Sequence, residues 1–92
     1  MKYSLDFDQE KNLILKLTRG VNFDDIVEAV ENNKILDDIA HFDQDSYPNQ
    51  RILIVEINNY AYAVPYVIDE QRQVIFLKTV YPNRILTKKY LR

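Results

Sequence analysis

Two apolar, β-branched runs separated by only two residues constrain the fold of this chain more than any other feature. The first run spans Arg51–Ile57 and the second spans Tyr60–Ile68. The residues between them are Asn58 and Asn59, and asparagine tolerates the positive φ that a two-residue hairpin turn requires. The sequence therefore predicts a β-hairpin over residues 51–68.

Two further runs extend the predicted sheet. A polar turn at Asp69–Arg72 leads to a last strand over Gln73–Val80, and a weakly alternating run, Ile35–Ala40, precedes the hairpin. Pro65 lies within the middle strand and has no N–H group for the strand ladder, so we expect a bulge there. Together the runs predict an antiparallel meander that is interrupted at Pro65.

Helical signals precede the strands. Asp8 as N-cap and Gly20 as a positive-φ stop predict a helix over residues 9–19. Leu13 and Leu17 share one side of this helix with Gly20, and Ile14 flanks them.

A second predicted helix, over residues 22–32, begins at the N-cap Asn22, and its apolar residues recur at helical spacing: Phe23, Ile26, Val27 and Val30. The segment Pro82-Asn83 ends the last strand, and residues 84–92 can form a short helix. The resulting order, (β)ααβββ(β)α, predicts an α+β fold in which two short N-terminal helices pack on one face of an antiparallel sheet.

Length and composition indicate one small domain over residues 1–92, with 47% hydrophobic residues to form a single core. The chain has no cysteine, which excludes disulfides and thiolate chemistry. Its N-terminus turns acidic at Asp6 without an apolar signal core, and no apolar run approaches the roughly 20 residues of a membrane span. We therefore expect a soluble, cytoplasmic protein.

Several classes of enzyme site have no matching motif. A single glycine rules out the dinucleotide-binding and P-loop motifs, and there is no GxSxG nucleophile elbow. One histidine and no cysteine give no metal-ligand motif such as HExxH, so no metal and no cofactor are predicted. Acidic pairs flank His41, at Asp37-Asp38 and at Asp43 and Asp45. We expect these acidic residues to be solvated charges of a loop rather than ligands of a divalent cation.

Charge is divided unevenly along the chain, whose net charge is −2. Residues 1–70 hold six basic and fourteen acidic groups, a net charge of −8, whereas residues 71–92 hold six basic groups and no acidic one. This division indicates an anionic ligand, RNA first among them, bound by the last strand and tail. Lys11 and Lys16 on the first helix are expected to lie outside that contact.

The basic segment can supply catalysis without a metal. RNA is cleaved when its 2′-OH attacks the adjacent phosphate, which requires a base, an acid and cations for the developing charge. The candidates for these roles, left open among them, are Lys78, Tyr81, Arg84 and Lys88.

The candidates for RNA binding are Phe76, which could stack a base beside Lys78, and Lys89. The alternatives are also open. Lys78 could extend from a solvated sheet face, and the basic residues of the tail could form a solvated helix face. The tyrosines could serve sheet packing.

Two N-terminal segments, Asp6–Asn12 (DFDQEKN) and Arg19–Asp25 (RGVNFDD), follow the pattern of a known family, and a looser match continues through Lys78–Tyr81 to Tyr90. With these segments the chain resembles the BrnT toxins, which are similar in fold to the RelE ribonuclease toxins. The chain departs from that family at Phe76 and Tyr81, which stand where arginine is expected.

The resemblance implies a RelE-like, metal-independent ribonuclease that forms a hetero-oligomer with a small antitoxin of the ribbon-helix-helix or helix-turn-helix type. It also adds Arg51, which matches a basic position of the family, as a phosphate contact that could reach the same sheet face from an adjacent strand. The alternative is an inactive member of the same fold, a module that binds RNA or an acidic protein without cleavage.

Overall fold

The computed structural model describes residues 3–92, in which three helices and six strands follow one another in the predicted α+β manner. The elements are β1 (Ser4–Phe7), α1 (Gln9–Thr18), α2 (Phe23–Glu31), β2 (Ile35–Ala40), β3 (Arg51–Ile57), β4 (Tyr60–Asp69), β5 (Val74–Leu77), β6 (Tyr81–Pro82) and α3 (Arg84–Leu91). Within residues 3–92, no helix has the length and apolar character needed to cross a membrane.

The strands form one sheet in the order β1-β5-β4-β3-β2, and β6 pairs with β4 beside β5. The meander β3-β4-β5 is antiparallel, as predicted. The sheet is not antiparallel throughout, because β1 pairs with β5 in parallel. This first strand forms because Leu5 and Phe7 alternate with polar residues and pack against the core beneath the helices.

Local signals in the sequence are confirmed at the turns and caps. Asn58 and Asn59 have φ values of 52° and 65°, which closes the hairpin, and Gly20 has a φ of 83° after α1. The Asp8 side chain accepts the Lys11 N–H. Asn22 forms a capping box with Asp25, since each side chain accepts from the backbone N–H of the other.

Pro65 is accommodated by a bulge in the strands opposite it. The pairs Tyr66–Leu77 and Ala63–Tyr81 enclose two residues on β4 but three, residues 78–80, on the other side. The Pro65 carbonyl accepts the Lys78 N–H at 2.8 Å, so it points toward the bulge at residues 78–80. The nitrogen and the carbonyl of one strand residue point to the same side, so the proline nitrogen also points toward the bulge. Its missing N–H therefore breaks no ladder bond. The predicted last strand over residues 73–80 is accordingly shortened to β5, which ends at Leu77, and pairing resumes only at β6, beyond the predicted end.

Two helices cover one face of the sheet, which we call the helix-pair face. Phe23, Ile26 and Ala29 of α2 are buried there against strand residues such as Leu53 and Val64. This confirms the predicted packing of α2 on the sheet through Phe23 and Ile26, while Val27 and Val30 of the same helix are half-buried.

Helix α1 turns a different side inward from the one its aliphatic residues suggest. Its buried residues are Asn12 and Leu15, whereas Leu13, Ile14 and Leu17 are 58%, 58% and 77% exposed. The reason is a buried hydrogen bond, in which the Asn12 side-chain oxygen accepts the Phe23 N–H at 2.8 Å at the start of α2. We call the three exposed residues the α1 stripe.

Helix α3 packs on the opposite face, which we call the α3 face, mainly against β4. Leu86 is buried there with Ile52, Ile54, Ala61 and Ala63. The Thr87 hydroxyl accepts the Ala61 N–H at 2.9 Å, in the buried contact between helix and strand. The three helices are thus divided between the two faces of the sheet.

Candidate nucleic-acid interface

A depression of about 380 Å³ opens where β5 stops and the bulge begins. We call it the bulge depression, and it is lined by Lys11, His41, Tyr47, Gln50, Pro65, Lys78, Thr79 and Tyr81. These residues come from α1, from the loop between β2 and β3, from β4 and from the bulge with β6. The described lining includes two lysines and no carboxylate, so it favours an anion.

Lys78 enters the depression because β5 ends at Leu77 rather than continuing through it. Its backbone is held by the bond to the Pro65 carbonyl, and its side chain is exposed. The ammonium nitrogen lies 5.5 Å from the centroid of the Phe76 ring, a cation–π distance. The predicted neighbourhood of Lys78 and Phe76 is therefore confirmed, although Lys78 is not inside a strand.

Tyr81 lines the same depression, but it lies on a different face from the one its position predicts. A regular strand would place Ile75, Leu77 and Tyr81 together. The extra residue of the bulge reverses the alternation, so Val80 packs with the core of the helix-pair face while Tyr81 packs with that of the α3 face. Partial burial raises the pKa of the Tyr81 phenol, so the group is a neutral hydrogen-bond donor at neutral pH.

Lys11 lines the bulge depression, although the charge pattern directed attention to the last strand and tail. It was expected, with Lys16, to lie outside the RNA contact, yet it lines the depression together with Lys78. The parallel pairing of β1 with β5 explains this, because α1 starts two residues after the end of β1, next to the end of β5. Lys16 forms a salt bridge of 3.0 Å with Asp24 instead.

The loop 41–50 contributes two aromatic rings that sequence reasoning did not assign to the site. The ring centroids of His41 and Tyr47 are 4.6 Å apart with an angle of 35° between the planes. The His41 Nδ1 atom accepts the Asp43 N–H at 3.0 Å, which leaves the proton of the neutral ring on Nε2. His41 can therefore stack and donate one hydrogen bond.

Arg51 lies outside the depression and is held by a carboxylate. Its Nε donates to Asp38 Oδ1 at 3.2 Å, and this hydrogen bond is the main reason that its pKa is raised. The Tyr66 hydroxyl donates to the same carboxylate at 2.8 Å, and burial with this bond raises the pKa of Tyr66 to about 12. Arg51 was expected on a strand adjacent to the last one, but β4 separates β3 from β5.

The remaining predicted residues lie on α3 and do not line the depression. Arg84 and Lys88 are exposed, at the start and in the last turn of the helix. The Lys89 ammonium lies 5.2 Å from the ring centroid of Tyr90. The Tyr90 hydroxyl donates to Asp37, a bond that fastens the end of α3 to β2 and lowers the pKa of that carboxyl.

The acidic pair Asp37-Asp38 is part of β2, not of a solvated loop. Its carboxylates point to opposite faces, where Tyr90 and Tyr66 bind them. Among residues 3–92, no three His, Cys, Asp or Glu side chains are grouped closely enough to hold a metal ion.

A second depression of about 410 Å³ shares one lining residue, Tyr81, with the first. The Arg19 Nη1 atom donates to the Val80 carbonyl at 2.9 Å at its edge, next to Val21, Tyr62 and Pro82.

No protein-family model, curated protein or solved structure matches this chain.

Proposed function

We propose that this chain is the toxin of a type II toxin–antitoxin system, an endoribonuclease that needs no metal and binds RNA in the bulge depression. One observation carries the proposal. Two ammonium groups (Lys11 and Lys78), a neutral phenol (Tyr81) and an aromatic pair meet in one depression whose described lining has no carboxylate. The resemblance of the N-terminal segments to the BrnT toxins supports the same function.

The reaction that suits these groups is attack of a 2′-oxygen on its own 3′-phosphate. A new P–O2′ bond forms and the P–O5′ bond breaks, which gives a 2′,3′-cyclic phosphate and a 5′-hydroxyl. Lys78 and Lys11 stabilise the charge that develops on the phosphate oxygens. The proton of the attacking 2′-OH passes to a solvent water molecule, and Tyr81 donates its proton to the departing 5′-oxygen and then regains one from solvent. Arg84 and Lys88 bind flanking phosphates in this proposal.

The test is cleavage of a labelled single-stranded RNA in excess EDTA, with analysis of the product ends. We expect cyclic-phosphate and 5′-hydroxyl ends. Lys78→Ala and Tyr81→Phe should lower the cleavage rate more than the affinity, because their contacts strengthen in the transition state. Lys16→Ala is the matched control, since Lys16 is paired with Asp24. Absence of cleavage by the wild-type chain would contradict the catalytic proposal.

A second candidate function is RNA binding without cleavage, and two observations favour it. Arg84 and Lys88 do not line the depression, and Arg51 is held by Asp38, so fewer cations surround a bound phosphate than the sequence suggests. This module would bind the same RNA through Lys11 and Lys78. Binding that depends on these lysines, without cleavage and without an effect on growth, would identify it.

The proposed protein partner is a small antitoxin of the ribbon-helix-helix or helix-turn-helix type. The α1 stripe supports a protein contact, because three large aliphatic side chains are exposed on one helix. Lys11 is one turn from Ile14, so a partner on the stripe would also reach the bulge depression. Expression of the chain alone should slow growth, and co-expression of the product of the adjacent gene should relieve it. Normal growth at verified high levels of folded protein would contradict the toxin proposal.

A further inference from the structure

The loop 41–50 offers an exposed aromatic surface at the rim of the bulge depression. Tyr47 is 45% exposed, and its ring lies against His41, which is half-buried. Both residues line the depression together with Lys78. An exposed ring beside a cation is the arrangement with which proteins bind an unpaired nucleotide, the ring stacking on the base and the cation contacting the phosphate.

The loop is held in place by its own hydrogen bonds. The Tyr47 N–H donates to the Asp43 carbonyl at 2.9 Å, and the Tyr47 carbonyl accepts the Gln50 N–H at 3.2 Å. The Asp43 carboxylate accepts the Ser46 N–H at 3.1 Å, while the Asp43 N–H binds His41. Because the loop backbone and the His41 ring are already fixed by these bonds, little conformational entropy is lost when a base stacks on the Tyr47 ring, which favours binding.

We infer that the bulge depression takes one unpaired nucleotide, with its base stacked on Tyr47 of the His41–Tyr47 pair and its phosphate between Lys78 and Lys11. The inference rests on the proposed function and adds the substrate class, single-stranded RNA. A volume of about 380 Å³ suits one nucleotide. A base within a duplex is stacked on its neighbours and cannot reach the ring.

The test is a binding titration with an RNA oligonucleotide that is 2′-O-methylated throughout, so that 2′-OH attack cannot occur. One position carries the fluorescent base 2-aminopurine, and the same strand is also tested annealed to its complement. Tyr47→Leu should weaken binding of the single strand by roughly 5- to 150-fold and abolish the quenching of the fluorescent base. Tyr47→Phe keeps the ring and should bind like the wild-type chain. The duplex should bind the wild-type chain at least about tenfold more weakly.

The loop provides a matched control in Phe42, which is 58% exposed but does not line the depression. Phe42→Leu should leave affinity and quenching unchanged. Unfolding midpoints equal to that of the wild-type chain would show that the Tyr47 variants fold, as expected for an exposed side chain.

The outcomes separate this inference from the proposed catalysis. Unchanged binding by Tyr47→Leu, equal affinity for duplex and single strand, or no RNA binding at all would overturn the inference. Binding that depends on Lys78 but not on Tyr47, together with cleavage of unmodified RNA, would overturn it and leave the ribonuclease proposal intact. Binding that depends on Tyr47 without cleavage would support it and contradict the ribonuclease proposal.

Discussion

Removal of Lys78 or Lys11 should flatten the salt dependence of RNA binding by the same amount, because both ammonium groups line one depression. For a single strand, each neutralised phosphate adds about 0.7 to the slope of log affinity against log salt. A fourfold rise in salt, from about 50 to about 200 mM, should therefore lower affinity roughly 2.6-fold for the one phosphate that the two lysines share. Each single variant should lose part of this factor, and the double variant should lose all of it.

The assay is fluorescence anisotropy with a 2′-O-methylated oligonucleotide at four salt concentrations. We expect the slope to fall by about 0.7 in the double variant, and by a smaller and equal amount in Lys78→Ala and in Lys11→Ala. Lys16→Ala is the control on the same helix as Lys11. Its ammonium group is paired with Asp24 at 3.0 Å, and it does not line the depression, so the slope should stay at the wild-type value.

An unchanged slope in the double variant would refute the placement of the phosphate in the bulge depression. Arg84 and Lys88 on α3 would then be the next residues to test, because both are exposed cations of the basic tail. A change in Lys78→Ala alone would retain the depression but remove Lys11 from the contact.

Three further predictions concern stability and partner binding. Phe23→Ala should lower the free energy of unfolding by about 3–5 kcal/mol, measured by urea titration, because Phe23 is fully buried; an unchanged midpoint would contradict its place in the core. The Tyr66 phenol has a pKa of about 12 in the fold against about 10 when unfolded, so its stabilisation is complete below pH 10 and is lost as pH rises toward 12. The stability advantage of the wild-type chain over Tyr66→Phe should shrink across that range, and a constant difference would contradict it. Leu17→Glu should weaken co-purification with the adjacent gene product, because Leu17 belongs to the α1 stripe. The control is Ile85→Glu on α3, which should have no effect although Ile85 is as exposed as Leu17, at 78% against 77%. Equal effects of the two variants would contradict a partner contact at the α1 stripe.

The parts of the fold that the sequence predicted well are those set by neighbouring residues. The turn at Asn58 and Asn59, the capping box at Asn22 and the stop at Gly20 each depend on the backbone preference of one or two residues. Such preferences act within a few positions and can be read directly. The two helices and the hairpin followed from these signals and from apolar spacing.

The orientation of α1 could not be read from its own residues. Aliphatic spacing favours Leu13 and Leu17 as the inner side, but the buried residues are Asn12 and Leu15. The deciding contact is the hydrogen bond from the Phe23 N–H to Asn12, eleven positions away, which satisfies a buried donor at the start of α2. An asparagine in the middle of a short helix was the one available signal, because asparagine is unfavourable there unless its side chain has a partner.

The composition of the site depends on a single extra residue opposite Pro65. The bulge reverses the faces of Val80 and Tyr81, and it releases Lys78 from the strand, so that Lys78 and Tyr81 open onto the end of the sheet. There they meet Lys11, which belongs to the part of the chain with a net charge of −8. Segment charge therefore pointed to Lys78 and missed Lys11, the other lysine that lines the depression. The potential that a ligand meets is set by which side chains the fold brings to one depression, and the acidic segment contributes a cation to it because β1 returns to the edge of β5.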